Sequence, residues 1–200
     1  KSDGNDLIVF KPKELTPDEL HNQWNNETVK SNLAEWVRFR FPRQNKGKYL
    51  CISDFFKDMN SNEFDVVPFF IVTVGQRATE YAQELYTKNQ YQDYLYFHGL
   101  SVETAEGLAE YWHKIIRKEL GIDSKDSSDL NKLFQQGYQG SRYSFGYPAC
   151  PDLEDNKLLF ELLNPERIGI KLTEEWQMVP EQSTNAIVVH HPEARYFFIK

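Results

Sequence analysis

Hydrophobic and polar positions change rhythm along the chain, and each rhythm predicts a different element. Asp6 to Phe10 is a short apolar run, which predicts a first strand. Thr16-Pro17-Asp18-Glu19-Leu20 reads as a helix start, with Thr at the N-cap, Pro at the first helical position and acids in the first turn. From Leu33 to Phe41 the residues alternate: Val37, Phe39 and Phe41 point one way, Arg38 and Arg40 the other, as in a half-buried strand. Asn45-Lys46-Gly47 is a turn, and Tyr49 to Ile52 predicts a second short strand. The most apolar stretch, Asp65 to Val74, reads as a buried strand ending at Gly75, with Pro68 near its start or at a bulge.

The period then becomes helical. Over residues 77–89, Ala78, Tyr81, Ala82, Leu85 and Tyr86 recur on one face. Over residues 101–120, Val102, Ala105, Leu108, Ala109, Trp112, Ile115, Ile116 and Leu120 form a stripe, with Ser101 as N-cap and Gly121 as terminator. A polar loop at 121–129, a short helix near 129–136 and a glycine-rich aromatic loop from Gly137 to Pro151 follow. A helix over 153–163 carries Leu158, Leu159, Leu162 and Leu163 on its apolar side. The end returns to strand: Ala186 to His190 and Tyr196 to Ile199, turned through Pro192, predict a hairpin. Strands and helices do not alternate one for one, so the fold class is α+β: a single domain with a mainly antiparallel twisted sheet and packed helices.

Composition narrows the function. At 200 residues the chain can bury a core without disulfides or metals. Aromatics at 14% exclude intrinsic disorder. A net charge of −7 disfavours nucleic-acid and anionic-membrane binding, although Arg38, Arg40, Arg43, Lys46 and Lys48 interleave with aromatics; that stretch reads as the solvated face of a strand. The absence of a signal-like start, together with only two cysteines, Cys51 and Cys150, points to free thiols in a reducing, cytoplasmic compartment. Lys1 in place of an initiator Met, and an ending inside an apolar run, suggest that residues 1–200 are a piece of a longer polypeptide lacking an N-terminal portion.

Few residues offer catalytic chemistry. Glu110 and His113 make a Glu-x-x-His pair, the spacing of di-metal carboxylate bundles, but there is one copy where those bundles need two, so both read as surface residues. The pair His190-His191 lacks an adjacent thiolate or acidic cluster. Cys150 lies between Pro148 and Pro151 and reads as a small packing residue. The segment from Tyr138 to Pro151 stands out: glycines that let main chain approach a ligand, two prolines, and Arg142 alone among aromatics. A rigid aromatic wall with one guanidinium fork suits a ligand with a carboxylate and an organic cation; aromatics filling core would give the same composition.

The run Arg142-Tyr143-Ser144-Phe145-Gly146-Tyr147-Pro148-Ala149-Cys150-Pro151 resembles the signature of the activation domain of cobalamin-dependent methionine synthases, the C-terminal region that binds S-adenosylmethionine. The stretch from Ala105 to Lys118 resembles the family's long helix. Ile170 to Glu174, Met178 with Pro180, and His191-Pro192 with Tyr196-Phe197 follow its pattern in order, so the resemblance covers the chain from about residue 65 onward. It implies that Arg142, Gly146 and Tyr147 of the signature, Glu106 of the long helix and Tyr196 of the C-terminal motif contact S-adenosylmethionine. Gln136 stands where members carry an acid. A further acidic contact comes from a segment before this chain begins.

The implied function is reactivation. Cobalamin carries methyl groups to homocysteine and is occasionally oxidised. One electron from a flavodoxin-type donor and the methyl of S-adenosylmethionine then restore it. The domain binds S-adenosylmethionine, presents its methyl to cobalamin held by a neighbouring domain of the same polypeptide, and contributes positioning rather than acid–base catalysis. Arg142, Glu106, Tyr147 and Tyr196 are then expected to line one groove on one side of the sheet. The rivals are a cysteine-dependent enzyme with Cys150 as nucleophile and His190 or His191 as base, and a ligand-free interaction module.

Overall fold

The computed structural model describes residues 1–12 and 33–199. The helix start at Thr16 lies outside these residues. Strands β1 (Ser2–Asp3), β2 (Asp6–Pro12) and β3 (Leu33–Arg40) form one antiparallel sheet. Strands β4 (Phe69–Thr73), β5 (Ser141–Tyr143) and β8 (Ser183–Val189) form a second, in the order β4-β8-β5, all antiparallel. A small ribbon pairs β6 (Lys171–Leu172) with β7 (Met178–Val179). The helices are α1 (Gln76–Thr87), α2 (Tyr91–Glu119), α3 (Leu130–Phe134) and α4 (Asn156–Leu163).

The alternation read in β3 holds. Val37, Phe39 and Phe41 are buried while Arg38 and Arg40 face outward, where both pair with Asp6. Phe39 stacks on Phe69 of β4 and on Phe145, with ring centroids 5.3 and 5.4 Å apart, and these contacts join the two sheets face to face. Val9 and Phe10 flank a β-bulge that re-registers β2 against β3. The sandwich core also holds Cys51, Ile52, Tyr143, Leu159, Ile187, Val189 and Phe197.

Helix α2 covers the other face of the second sheet. Ala109 and Ile116 pack on Phe70, Val72, Ala186 and Val188 as a second, smaller core. The molecule is thus three layers, helix on sheet on sheet, an α+β arrangement with antiparallel sheets as its class predicts.

Five local expectations are corrected. Tyr49 to Ile52 is not a strand: Tyr49 takes a positive φ of 54°, and a 3₁₀ turn spans Ile52–Phe55, capped by Asp54 accepting from the Cys51 amide at 2.9 Å. Helix α2 begins ten residues before Ser101, which is buried inside it and donates its hydroxyl to the Phe97 carbonyl at 2.8 Å. Its buried face is rotated from the predicted stripe: Val102 and Trp112 are exposed, while His113 and Arg117 are buried. The hairpin is absent, because β8 forms as read but Tyr196 to Ile199 joins no sheet. The segment read as a loop at 137–151 instead supplies β5, the edge strand.

Gly140 fixes where β5 starts. Its φ is +86°, and a Cβ there would sit 2.3 Å from the Val189 carbonyl oxygen, which is backbone and cannot swing aside. Gly140→Ala is therefore expected to destabilise the fold by ~2 kcal/mol or more in urea denaturation. Unchanged stability would show that β5 is not held this tightly against β8.

Candidate functional site

Arg142 is the middle residue of β5 and faces Val188 of β8. The Val188 amide donates to Pro68 at 2.9 Å, on the β4 side. In an antiparallel ladder the two backbone groups of a residue point the same way and alternate along the strand. The Arg142 N–H and C=O therefore point away from β8, out of the edge of β5 that pairs with no other strand among the described residues. Its side chain shares the face of Val188 and reaches helix α2. There its Nη2 lies 3.0 Å from Glu110 and 3.3 Å from Glu106, two carboxylates one helical turn apart. Nη1 is buried with no partner among the described residues.

Glu106, Glu110, His113 and Arg117 continue as one stripe along α2 at i, i+4, i+7 and i+11. Arg117 is 1% exposed and makes a two-pronged pair with Asp126, Nε to Oδ1 at 3.0 Å and Nη2 to Oδ2 at 2.8 Å. Its guanidinium lies 4.1 Å from the centre of the Tyr138 ring, and the His113 ring meets the same tyrosine edge-on at 5.0 Å. His113, expected on the surface with Glu110, is fully buried, with both ring nitrogens unpartnered. Burial first, then the neighbouring Arg117 and Arg142 cations, push its pKa down to about 3, so it is neutral. Burial, and after it the Glu110 charge, raises that of Tyr138. The polar loop at 121–129 is tied down through Asp126.

Tyr143 points to the opposite face of β5, into the sandwich core. Its ring stacks on Tyr196 at 5.9 Å and its hydroxyl donates to the Arg195 carbonyl at 2.8 Å. Gln136 bridges the two segments. Its amide donates to the Ser141 hydroxyl at 3.1 Å and accepts from the Tyr196 amide at 3.4 Å. The signature turns tightly after β5: the Gly146 amide donates to Cys150, and the Cys150 amide to Tyr147, both at 2.9 Å. At Gly146 φ is +88° and a Cβ would meet Leu153 at 2.6 Å. The turn leaves the Tyr147 ring half exposed. Burial raises the Tyr196 phenol pKa, and Cys150 and Tyr147 are close enough to add to the shift.

The expectation of one groove on one side of the sheet is therefore corrected. Arg142 and Glu106 lie on the α2 face of β5, whereas Tyr196 packs against Tyr143 on the other. The residues flank the free edge of the strand from both sides. The cysteine-enzyme arrangement is also not assembled. Cys150 is buried, its Sγ donates to the Ser144 carbonyl at 2.9 Å rather than to a histidine, and burial pushes the thiol well above its ordinary range. Both cysteines are free and buried. Among the described residues no cluster of three or more His, Cys, Asp or Glu side chains could hold a metal, and no helix is long and apolar enough to cross a membrane.

His113 gives the site a pH signature. Its folded pKa of about 3 lies below the ordinary 6.5, so the unfolded chain takes up the proton first, and stability falls as pH drops from about 6.5 toward 3. Asp155, whose carboxyl is raised to about 7 by burial and then by Asp152 and Glu154, acts in the opposite sense, losing stability as pH rises. A variant comparison isolates the histidine. Between pH 7 and pH 5 the parent should lose about 2 kcal/mol relative to His113→Phe in urea titrations. A parent–variant difference that is the same at both pH values would refute the buried neutral imidazole.

Comparison with known proteins places this geometry. A family model described as the activation domain of vitamin B12 dependent methionine synthase matches residues 2–200. Methionine synthases of Mycobacterium tuberculosis and Mycobacterium leprae are 44% and 48% identical over 98% of this chain, which spans only 16% of either relative. A crystal structure of the MetH reactivation domain bound to AdoHcy superposes with a TM-score of 0.79 at 25% identity, covering 97% of this chain and 60% of that one. The chain belongs to the family of vitamin B12 dependent methionine synthase activation domains.

Proposed function

We propose that this chain binds S-adenosylmethionine over the free edge of β5 and presents its methyl group for the reactivation of a cobalamin-dependent methionine synthase. The observation that carries the reading is Arg142. Its guanidinium sits between two carboxylates on the α2 side of an edge strand whose own backbone groups point outward, in a chain whose solved relative holds AdoHcy.

The donor set fits this ligand. S-adenosylmethionine carries a carboxylate, an ammonium, a sulfonium and an adenine. Arg142 supplies a fork for the carboxylate, with Nη1 still lacking an acceptor. Glu106, 44% exposed, is the more accessible of the two carboxylates and serves the cationic half. The outward N–H and C=O of Arg142 offer the adenine edge a donor and an acceptor. Across the strand edge, the exposed ring of Tyr147 and the half-buried ring of Tyr196 offer π faces to the sulfonium.

Cobalamin, bound by a neighbouring part of the polypeptide, supplies the methyl acceptor, with a flavodoxin-type donor as the electron source in a cytoplasmic enzyme. This chain's contribution is orientation. A rigid strand edge and a glycine–proline turn hold the ligand so that its methyl faces outward. No acid or base is required of the site, which agrees with a neutral His113 and a protonated Cys150.

Arg142→Ala should weaken S-adenosylmethionine binding in calorimetric titration by about 1.5–3 kcal/mol, the range for a charge-assisted hydrogen bond, with little change in melting temperature. Unchanged affinity would refute the assignment. Tyr196→Phe keeps the ring that stacks on Tyr143 and should lower the rate of reactivation more than thermal stability. A variant reactivating at the parent rate would remove Tyr196 from the site. Iodoacetamide should leave Cys150 unmodified in the folded protein, since its thiol is buried and protonated; fast alkylation would revive the cysteine-enzyme reading.

A further inference from the structure

Arg142 presents an imbalance that the ligand contacts alone do not explain. Two carboxylates converge on its Nη2, Glu110 at 3.0 Å and Glu106 at 3.3 Å, while Nη1 is buried without a partner. Nη2 serves both carboxylates, donating a hydrogen bond to Glu106 and pairing with Glu110, while Nη1 serves none. We infer that Glu110 is a positioning residue for Arg142: it keeps the guanidinium in place while Glu106 exchanges from Arg142 to the cationic half of the ligand. The inference rests on the S-adenosylmethionine reading and assigns a role within it.

The two carboxylates are not equivalent. Glu110 is nearer and 32% exposed, against 44% for Glu106, so its attraction to Arg142 is less screened by water. Glu106 is the partner released at lower cost. Without Glu110, Arg142 and Glu106 would neutralise one another, and a zwitterionic ligand would first have to break that pair. With Glu110 present, Arg142 remains paired when Glu106 turns away, and the ligand carboxylate supplies an acceptor for Nη1. On the same helix face lie the neutral His113 and the Arg117–Asp126 pair, and from the loop before β5 Tyr138 packs against both, its phenol influenced by the Glu110 charge.

A double-mutant cycle reads the role directly, with two ligands: S-adenosylhomocysteine, which has the amino-acid zwitterion, and 5′-methylthioadenosine, which is neutral and lacks it. Glu110→Gln keeps the shape but not the charge. It should weaken S-adenosylhomocysteine roughly tenfold in the parent background, and not further in an Arg142→Ala background, because Glu110 acts through Arg142. Binding of 5′-methylthioadenosine should be unchanged throughout, and Glu110→Asp, which retains the charge, should recover part of the loss. If S-adenosylhomocysteine binds the parent but the loss adds to that of Arg142→Ala, falls equally on 5′-methylthioadenosine, or is not recovered in Glu110→Asp, the inference is overturned and the S-adenosylmethionine reading stands. A parent protein that fails to bind S-adenosylhomocysteine overturns both. Melting temperatures of the Glu110 variants should match the parent, since the side chain is partly exposed; a loss of affinity that tracks a loss of stability also overturns the role.

Discussion

Strand β8 is the constraint on which the other parts depend. It is hydrogen-bonded on both edges, to β4 and β5, and every residue from Thr184 to Val189 is buried. Burial on both faces demands a near-continuous apolar run, and Ala186 to Val189 supplies it. The pleat then deals the side chains to two cores: Ala186 and Val188 to helix α2, Ile187 and Val189 to the sheet sandwich. Because β5 is registered on β8, the same alternation sends Arg142 toward α2 and Tyr143 into the sandwich. A slip of one residue would exchange them, burying a guanidinium among phenylalanines. The close approach of Gly140 to the Val189 carbonyl guards that register. The position of the Arg142 guanidinium beside the strand edge is thus a consequence of how the buried strand is built.

Much of this architecture was legible in the sequence wherever a period was sustained. The alternation in β3, the apolar runs of β4 and β8 and the helical spacing of α1 and α4 each appear where the pattern put them, whereas α2 starts earlier and buries a rotated face. The failures share a cause. Tyr49 to Ile52 and Tyr196 to Ile199 are short apolar runs without a long partner, and such runs pack equally well as irregular segments. Phe197 fills the sandwich core and Ile52 does so from a 3₁₀ turn, each satisfying burial without joining a ladder. Ser101 looked like an N-cap because serine favours that position. Its hydroxyl instead bonds back to the Phe97 carbonyl inside a longer helix, an equally local solution invisible to spacing.

The candidate site was legible in its unusual parts and hidden in its ordinary ones. Arg142, Gly146 and Tyr147 stand in a distinctive loop, and the resemblance singled them out with Glu106 and Tyr196. Glu110 and His113 were read as surface residues and Arg117 and Asp126 did not stand out, because charged and polar residues on an amphipathic helix normally mark the wet face. Here the stripe runs from partly exposed at Glu106 and Glu110 to dry at His113 and Arg117. The signal was present in the spacing i, i+4, i+7, i+11 of Glu106, Glu110, His113 and Arg117, which repeats as regularly as the apolar stripe beside it. What spacing could not give was the partner for each charge, since Arg142, Asp126 and Tyr138 come from segments far along the chain.

A buried ion pair is a poor way to gain stability, since desolvation of both ions offsets most of their attraction. The Arg117–Asp126 pair, stacked on Tyr138 and wedged by a neutral histidine, is better understood as a device for specificity of geometry. It fastens the loop carrying Asp126 and the segment leading into β5 onto helix α2, the same helix that presents Glu106 and Glu110. Both sides of the Arg142 contact are thereby fixed relative to one another before any ligand arrives. A long flexible guanidinium meeting two mobile carboxylates would lose conformational entropy on binding; one held between a rigid strand and a rigid helix has already lost it. The proposed presentation of a methyl group asks for alignment above all else. The fold meets that demand by placing its most expensive buried charge, Arg117, on the same helix, two turns from Glu110 and three from Glu106.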